Sequence, residues 1–185
     1  MNVIEGQVPG VKILEPRTFG DPRGFFRETW HIQRYEEAGI PGPFVQDNLS
    51  SSAAGVLRGL HLQVAPSLQG KLVSVPRGAV LDIAVDVRVG SPTFGQHVIA
   101  ELTGENGRQL WVPPGFAHGF VSLQDDTLVA YKCTAMYDPS AELSIRWDDP
   151  GLNLQLPGGP FALSQKDEAA PSLESVMDRL PGYAS

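Results

Sequence analysis

"KLVSVPRGAVLDIAVDVRVG", residues 71 to 90, reads as two strands joined by a turn at Pro76-Arg77-Gly78. In its second half Ile83, Val85 and Val87 alternate with Asp82, Ala84, Asp86 and Arg88, the period-two pattern of a strand with one apolar face. Outward from it the same signature recurs in "LRGLHLQ" (57–63), "QHVIAEL" (96–102), "QLWVPP" (109–114), "GFVSL" (119–123), "TLVAYKCTAMY" (127–137) and "LSIRW" (143–147). Such close, turn-separated runs are the spacing of a β-sandwich or barrel. The 20 glycines and 16 prolines fall between them as punctuation. Helix is scarce: "HIQRYEEAGI" (31–40) predicts one short helix that Gly39 ends, and "PSLESVMDRL" (171–180) another, with Pro171 at its start and Pro181 after its end. No repeat or linker interrupts the pattern, so residues 1–185 read as a single domain, with an N-terminal strand segment and a C-terminal helix packed on a β core.

Composition narrows the partners. With 14 Lys and Arg against 21 Asp and Glu, the net charge of −7 repels nucleic acid and anionic membranes. The most apolar stretch is broken by Asp82, Asp86 and Arg88, well short of the roughly 18 apolar residues a membrane span needs. The opening "MNVIEGQVPG" shows no basic flank before an apolar block, and Cys133 is the one cysteine; both agree with a cytoplasmic protein.

Against this acidic background, "GVLRGLHLQ" (55–63) places Arg58 and His61 in an apolar strand. Strict alternation would point the two apart. A bulge at Gly59, where no side chain resists the deviation, would bring both to one side. A strand histidine is more often a hydrogen-bonded core or surface residue than a catalyst. His31 opens a polar helix and His97 sits in an edge-like run, so both read as solvated. His118 differs: in "VPPGFAHGF" (112–120) Pro113, Pro114 and Gly115 fix a rigid turn ahead of an imidazole flanked by aromatics.

A Pro-x-x-x-His after a strand, with a His-bearing strand earlier in the chain, resembles the two motifs of the cupin superfamily, whose fold is a double-stranded β-helix or jelly roll, here with a few short peripheral helices. Many cupins hold a metal through a His-x-His pair. Here the pair is His61-Leu62-Gln63, and two histidines with a neutral amide make a poor site, so no metal is expected. More specifically, "DPRGFFRETW", "FVQDNLSSSAAGVLRGLHLQ", "QGKLVSVPRGAVLDIAVDVR", "WVPPGFAHGF", "YKCTAMYDPSAELSIRWDDP" and "LSQKD" occur in this order. Together they resemble the dTDP-4-dehydrorhamnose 3,5-epimerase family, over residues 10 to about 168.

That resemblance implies an epimerase without cofactor, acting on a dTDP-linked 4-keto-6-deoxyhexose at the carbons flanking the ketone. Such chemistry needs a base, a stabiliser for the enolate oxygen and an acid on the opposite face. Position by position, the family pattern makes His61 the base, Asp167 the carboxylate that orients it, Tyr131 the acid and Lys71 the donor to the oxyanion. One preorganised donor of that kind is worth about 3 to 4 kcal/mol in the barrier. Arg23, Arg58 and Lys166 would neutralise the phosphates. Glu28, Gln46, Asn48, His118 and Glu142 would bond sugar and base, with Phe19, Phe26 and Tyr137 as stacking candidates. Asp82 and Asp86 are candidates to tune Lys71 electrostatically. Leu62 replaces the aromatic usual in the family after the base; alternation turns it away from the pocket. Relatives that invert carbon 3 alone, ketoisomerases, and a non-catalytic sugar-nucleotide-binding cupin are the alternatives. The resemblance also implies a homodimer in which N-terminal strands exchange, bringing Arg23 and Glu28 to the partner's site.

Overall fold

The computed structural model describes residues 1–183. Its strands are β1 (Asn2–Glu5), β2 (Lys12–Glu15), β3 (Thr18–Asp21), β4 (Gly24–Arg27), β5 (Gln46–Ser52), β6 (Leu57–Gln63), β7 (Lys71–Arg77), β8 (Ala79–Asp86), β9 (His97–Thr103), β10 (Gln109–Val112), β11 (Phe116–Ser122), β12 (Thr127–Cys133) and β13 (Glu142–Ser144). They form a six-stranded sheet in the order β1-β2-β10-β7-β12-β5, a five-stranded sheet in the order β13-β6-β11-β8-β9, and a separate ribbon of β3 and β4. Every named pairing is antiparallel. The architecture is mainly β with few short helices, as the strand pattern implies.

The turn after Pro76 exists, but it is a corner and not a hairpin, since β7 and β8 belong to different sheets. Gly78, between them, has φ +83, and a Cβ there would strike Thr127. Glycine is the residue that meets both demands. Strand alternation then fills three apolar layers. Between the sheets lie Val73, Val75, Val80, Ala84, Leu110, Phe116, Phe120 and Val129. Outside the five-stranded sheet, Leu60, Leu62, Ile83, Val85 and Val87 pack against Leu152, Leu173, Val176 and Leu180 of the C-terminal segment. Outside the six-stranded sheet, Leu14, Leu72 and Trp111 pack against Tyr35 and Ile40. Tyr35 belongs to α1 (Ile32–Glu37), which ends as expected at Gly39, φ +74.

The C-terminal helix is a 3-10 helix, Glu174–Arg179, rather than an α-helix. Leu173 and Val176, three residues apart, both anchor on the sheet, and the bond from Val176 N–H to Leu173 O follows that tighter spacing. A second helix, α2 (Gln165–Glu168), begins inside "LSQKD" (163–167) and ends one residue beyond it, where the sequence pattern gives no helix. The β3–β4 ribbon stands apart, with Phe19, Phe25 and Phe26 all more than half exposed. Among the described residues no helix is long and apolar enough to cross a membrane.

Candidate active site

The strand β6 carries a bulge where one was expected. His61 faces His118 across the β6–β11 pair, yet Arg58 faces Phe120, so Gly59 and Leu60 together oppose Gly119. Gly59 has φ +133, and a Cβ on it would come within 2.6 Å of the Gly119 Cα. The extra residue turns Leu60 and Leu62 to the outer apolar layer, although Leu62, expected to turn away from the pocket, also borders a neighbouring cavity. Arg58 and His61 thereby come to line one cavity.

That cavity, of about 240 Å³, is walled by Arg58, His61, Lys71, His118, Tyr131 and Asp167. It shares His61, Lys71 and Tyr131 with an adjoining one of about 280 Å³, to which Gln46, Asn48, Tyr137 and Glu142 also contribute. His61 belongs to the five-stranded sheet, whereas Lys71 and Tyr131 belong to the facing six-stranded sheet. A molecule between them meets an imidazole on one side and a phenol with an ammonium on the other.

Asp167 reaches His61 from 106 residues away, with 2.6 Å between its Oδ1 and Nε2. The carboxylate is buried. Burial pushes its pKa up, but the bonds from His61 and Ser164 and the nearby His61 and Lys166 charges outweigh that and hold it below the ordinary aspartate range. An ionised Asp167 accepts the Nε2–H and leaves Nδ1 with the lone pair, the tautomer a base needs. Burial pushes Lys71 below the usual lysine range, with Cys133, Asp82 and Glu142 opposing; its Nζ is 3.5 Å from the His61 carbonyl oxygen. Tyr131 is pushed above 10, chiefly by burial and then by Cys133, with Arg58 opposing, so the phenol keeps its proton at neutral pH.

The other residues divide by position. His118 is buried, and its Nε2 is 2.9 Å from Asp82 Oδ1. Arg58 donates to Ser52 Oγ and to the Ser51 carbonyl. At the rim, Lys166 and Glu142 pair at 2.6 Å and Tyr137 donates to the same carboxylate at 3.0 Å. Arg23 and Glu28 lie off the cavity. Arg23, on the β3–β4 turn, pairs with Asp21, and Glu28 pairs with Arg34. Phe19 and Phe26 stand exposed on the same ribbon, which is joined to the rest of the chain through Arg27, a donor to the Gly104 and Glu105 carbonyls. Asp86 is not a tuner of Lys71: its carboxylate is taken by Arg88, Ser91 and Thr93. Asp82 does act on Lys71, in the raising direction.

Ser50, Gln69 and Phe120 also line these walls and carry no motif that singles them out. Ser50 was legible by alternation, since Gln46, Asn48 and Ser50 are the less exposed positions of β5 while Asp47, Leu49 and Ser51 face out. Among the described residues no group of three or more His, Cys, Asp or Glu is placed to hold a metal ion.

A family model described as dTDP-4-dehydrorhamnose 3,5-epimerase matches residues 5–175. The dTDP-4-dehydrorhamnose 3,5-epimerase of Salmonella typhimurium is 50% identical over 179 residues, 96% of this chain and 98% of that protein. Among solved structures, a dTDP-6-deoxy-D-glucose-3,5-epimerase of Legionella pneumophila in complex with dTDP-4-keto-L-rhamnose superposes with a TM-score of 0.96 at 52% identity, covering 100% of this chain and 99% of that one. A 3'-monoepimerase from Streptomyces bikiniensis in complex with dTDP-quinovose matches with a TM-score of 0.91 at 35% identity, covering 97% and 92%.

Proposed function

The chain belongs to the dTDP-4-dehydrorhamnose 3,5-epimerase family, and on that premise we propose that it converts dTDP-4-dehydro-6-deoxy-D-glucose to dTDP-4-dehydro-L-rhamnose, on the route to dTDP-L-rhamnose. The observation that carries the reading is the opposition of two sheets across one cavity, His61 with Asp167 on one side and Tyr131 with Lys71 on the other.

In this mechanism Nδ1 of His61 removes the proton from a carbon beside the ketone. The electron pair moves to the carbonyl oxygen, where the Lys71 ammonium stabilises the enolate. Tyr131 gives its phenolic proton to the opposite face of the carbon, which inverts the centre and restores the carbonyl. Solvent returns the proton to the phenolate and takes one from the imidazolium, and the cycle repeats at the second carbon. Arg58 and Lys166 bind phosphate, Lys166 exchanging its present partner Glu142 for the diphosphate. Gln46, Asn48, His118 and Glu142 bond sugar and base, and Tyr137 stacks on thymine. No cofactor enters this scheme.

The homodimer is part of the same proposal. Three exposed phenylalanines on one ribbon are a surface that asks for cover, and Arg23 and Glu28 gain a role only in a neighbouring site. Sedimentation at micromolar concentration should give a dimer, and a fully active monomer contradicts it. A cytoplasmic location also belongs to the proposal and is supported by the single, buried, unpaired Cys133.

Proton NMR of the nucleotide sugar in D₂O tests the reaction. Exchange and inversion at carbons 3 and 5, abolished in His61→Ala, are expected. Inversion at carbon 3 alone makes the protein a monoepimerase, and silence with the nucleotide still bound makes it a binding module.

A further inference from the structure

The base and its carboxylate form a pair that a third side chain completes. Asp167 has two carboxylate oxygens. Oδ1 meets His61, and Oδ2 accepts a hydrogen bond of 2.9 Å from the Ser164 hydroxyl. The same hydroxyl oxygen accepts the Asp167 backbone N–H at 3.1 Å, as the N-cap of α2. Ser164 therefore grips Asp167 at both its main chain and its side chain. With one oxygen pinned, the carboxylate plane cannot turn about its Cβ–Cγ bond without breaking a bond inside a buried site.

The strand that carries His61 also fixes Ser164. Ala162 N–H donates to the Gly55 carbonyl and Leu57 N–H donates to the Ala162 carbonyl, a parallel bridge that ties the chain just before Ser164 to the start of β6. The bridge, the cap and the carboxylate bond lead stepwise from β6 out to Asp167 and back to His61 on the same strand. Ser164 also lines the cavity wall.

We propose that Ser164 is a positioning residue: its hydroxyl holds the Asp167 carboxylate in the one orientation that keeps the His61 proton on Nε2 and the lone pair of Nδ1 toward the substrate. This rests on the epimerase reading above, and deepens it by adding a member to the base's support. Ser164 touches no reacting atom. Its contribution is to the fraction of enzyme in which the imidazole is in the right tautomer and pose.

The test separates this role from simple capping of α2. Alanine removes the hydroxyl and the cap; glycine removes the hydroxyl but keeps most of a cap's stability; threonine keeps both. Ser164→Ala and Ser164→Gly should each lower kcat by roughly 10- to 100-fold with KM within about twofold, and Ser164→Thr should stay within a few-fold of the parent. The ring nitrogen-15 signals of the neutral His61 imidazole should show one tautomer in the parent and Thr variants and a mixture in Ala and Gly. If kcat instead follows melting temperature, with Gly close to the parent, Ser164 is only a cap and the proposal falls. An unchanged His61 ring spectrum in Ala and Gly overturns it equally. A parent enzyme without epimerase activity would remove the epimerase reading instead, while the ring spectra would still report on the Ser164 contact.

Discussion

The protein holds two histidine–aspartate pairs on neighbouring strands, and they serve different ends. His61 and His118 are register partners across β6 and β11, and each offers Nε2 to its own carboxylate. The His61 side chain is 28% exposed, and its aspartate arrives from a distant helix. The His118 side chain is 8% exposed, and Asp82 comes from β8, the strand alongside. Both rings line the cavity, but the first is the more open to it, whereas the second pair also ties β11 to β8 inside the protein. Two pairs of the same groups thus differ in who supplies the carboxylate and how much water reaches the ring.

Substitutions should separate the pairs. The largest effect on rate is expected for Asp167→Asn, where an amide presenting N–H to Nε2 enforces the wrong tautomer: kcat in the D₂O exchange assay should fall by about 10³- to 10⁴-fold, by analogy with hydrolase triads. Its melting temperature should move far less than that of His118→Ala. That second variant leaves a buried Asp82 without its partner, and Asp82 Oδ2 already has none, so the loss in stability should be about 3 kcal/mol by denaturant titration. If His118→Ala kept its stability and lost all its rate, the two pairs would be functional equals and the contrast would fail.

Asp86 serves as a carboxylate control away from both histidines. Although burial pushes its pKa up, bonds from Arg88, Ser91 and Thr93 bring it down from 3.8 to about 2. A depressed folded-state pKa stabilises above the unfolded value and is lost as pH falls. Roughly 2 kcal/mol should therefore disappear between about pH 4 and pH 2, and Asp86→Asn should lack that part of the acid limb in urea midpoints measured across pH. The smallest effect is expected for Asp82→Asn, which keeps the shape of the pair but removes a charge that supports the Lys71 ammonium. The alkaline limb of kcat/KM should then move toward lower pH with little change at neutrality; an unmoved limb would mean that Asp82 does not act on Lys71.

Much of this was legible in the sequence wherever local patterning decides the outcome. The face assignment of Ile83, Val85 and Val87, the turn before His118 and the bulge at Gly59 each follow from a few adjacent residues. What the chain does over longer range was not. The turn at Gly78 reads the same whether its strands pair or part, and only the packing of two sheets sends β7 and β8 to different ones. The pairing of His61 with Asp167 has no local signal, and came from family resemblance. Arg23 and Glu28 share that source, but their own fold directs them outward, and nothing near them in sequence distinguishes a site residue of one chain from that of a neighbour.

The bulge at Gly59 has a consequence for how this strand tolerates change. An extended chain counts in twos, and an odd insertion shifts its parity. Arg58 and His61, an odd number of positions apart, share a wall because one extra residue has been absorbed against Gly119. Deleting one residue between them would remove the bulge while preserving the shared wall. Substitution inside the bulge is another matter: neither glycine has room for a methyl group, since a Cβ on Gly119 would approach the Arg58 carbonyl oxygen to 2.7 Å. Length and side-chain size are thus separate constraints here: a deletion that spares both glycines must take Leu60 and its packing in the outer apolar layer, whereas alanine at either glycine meets backbone at once.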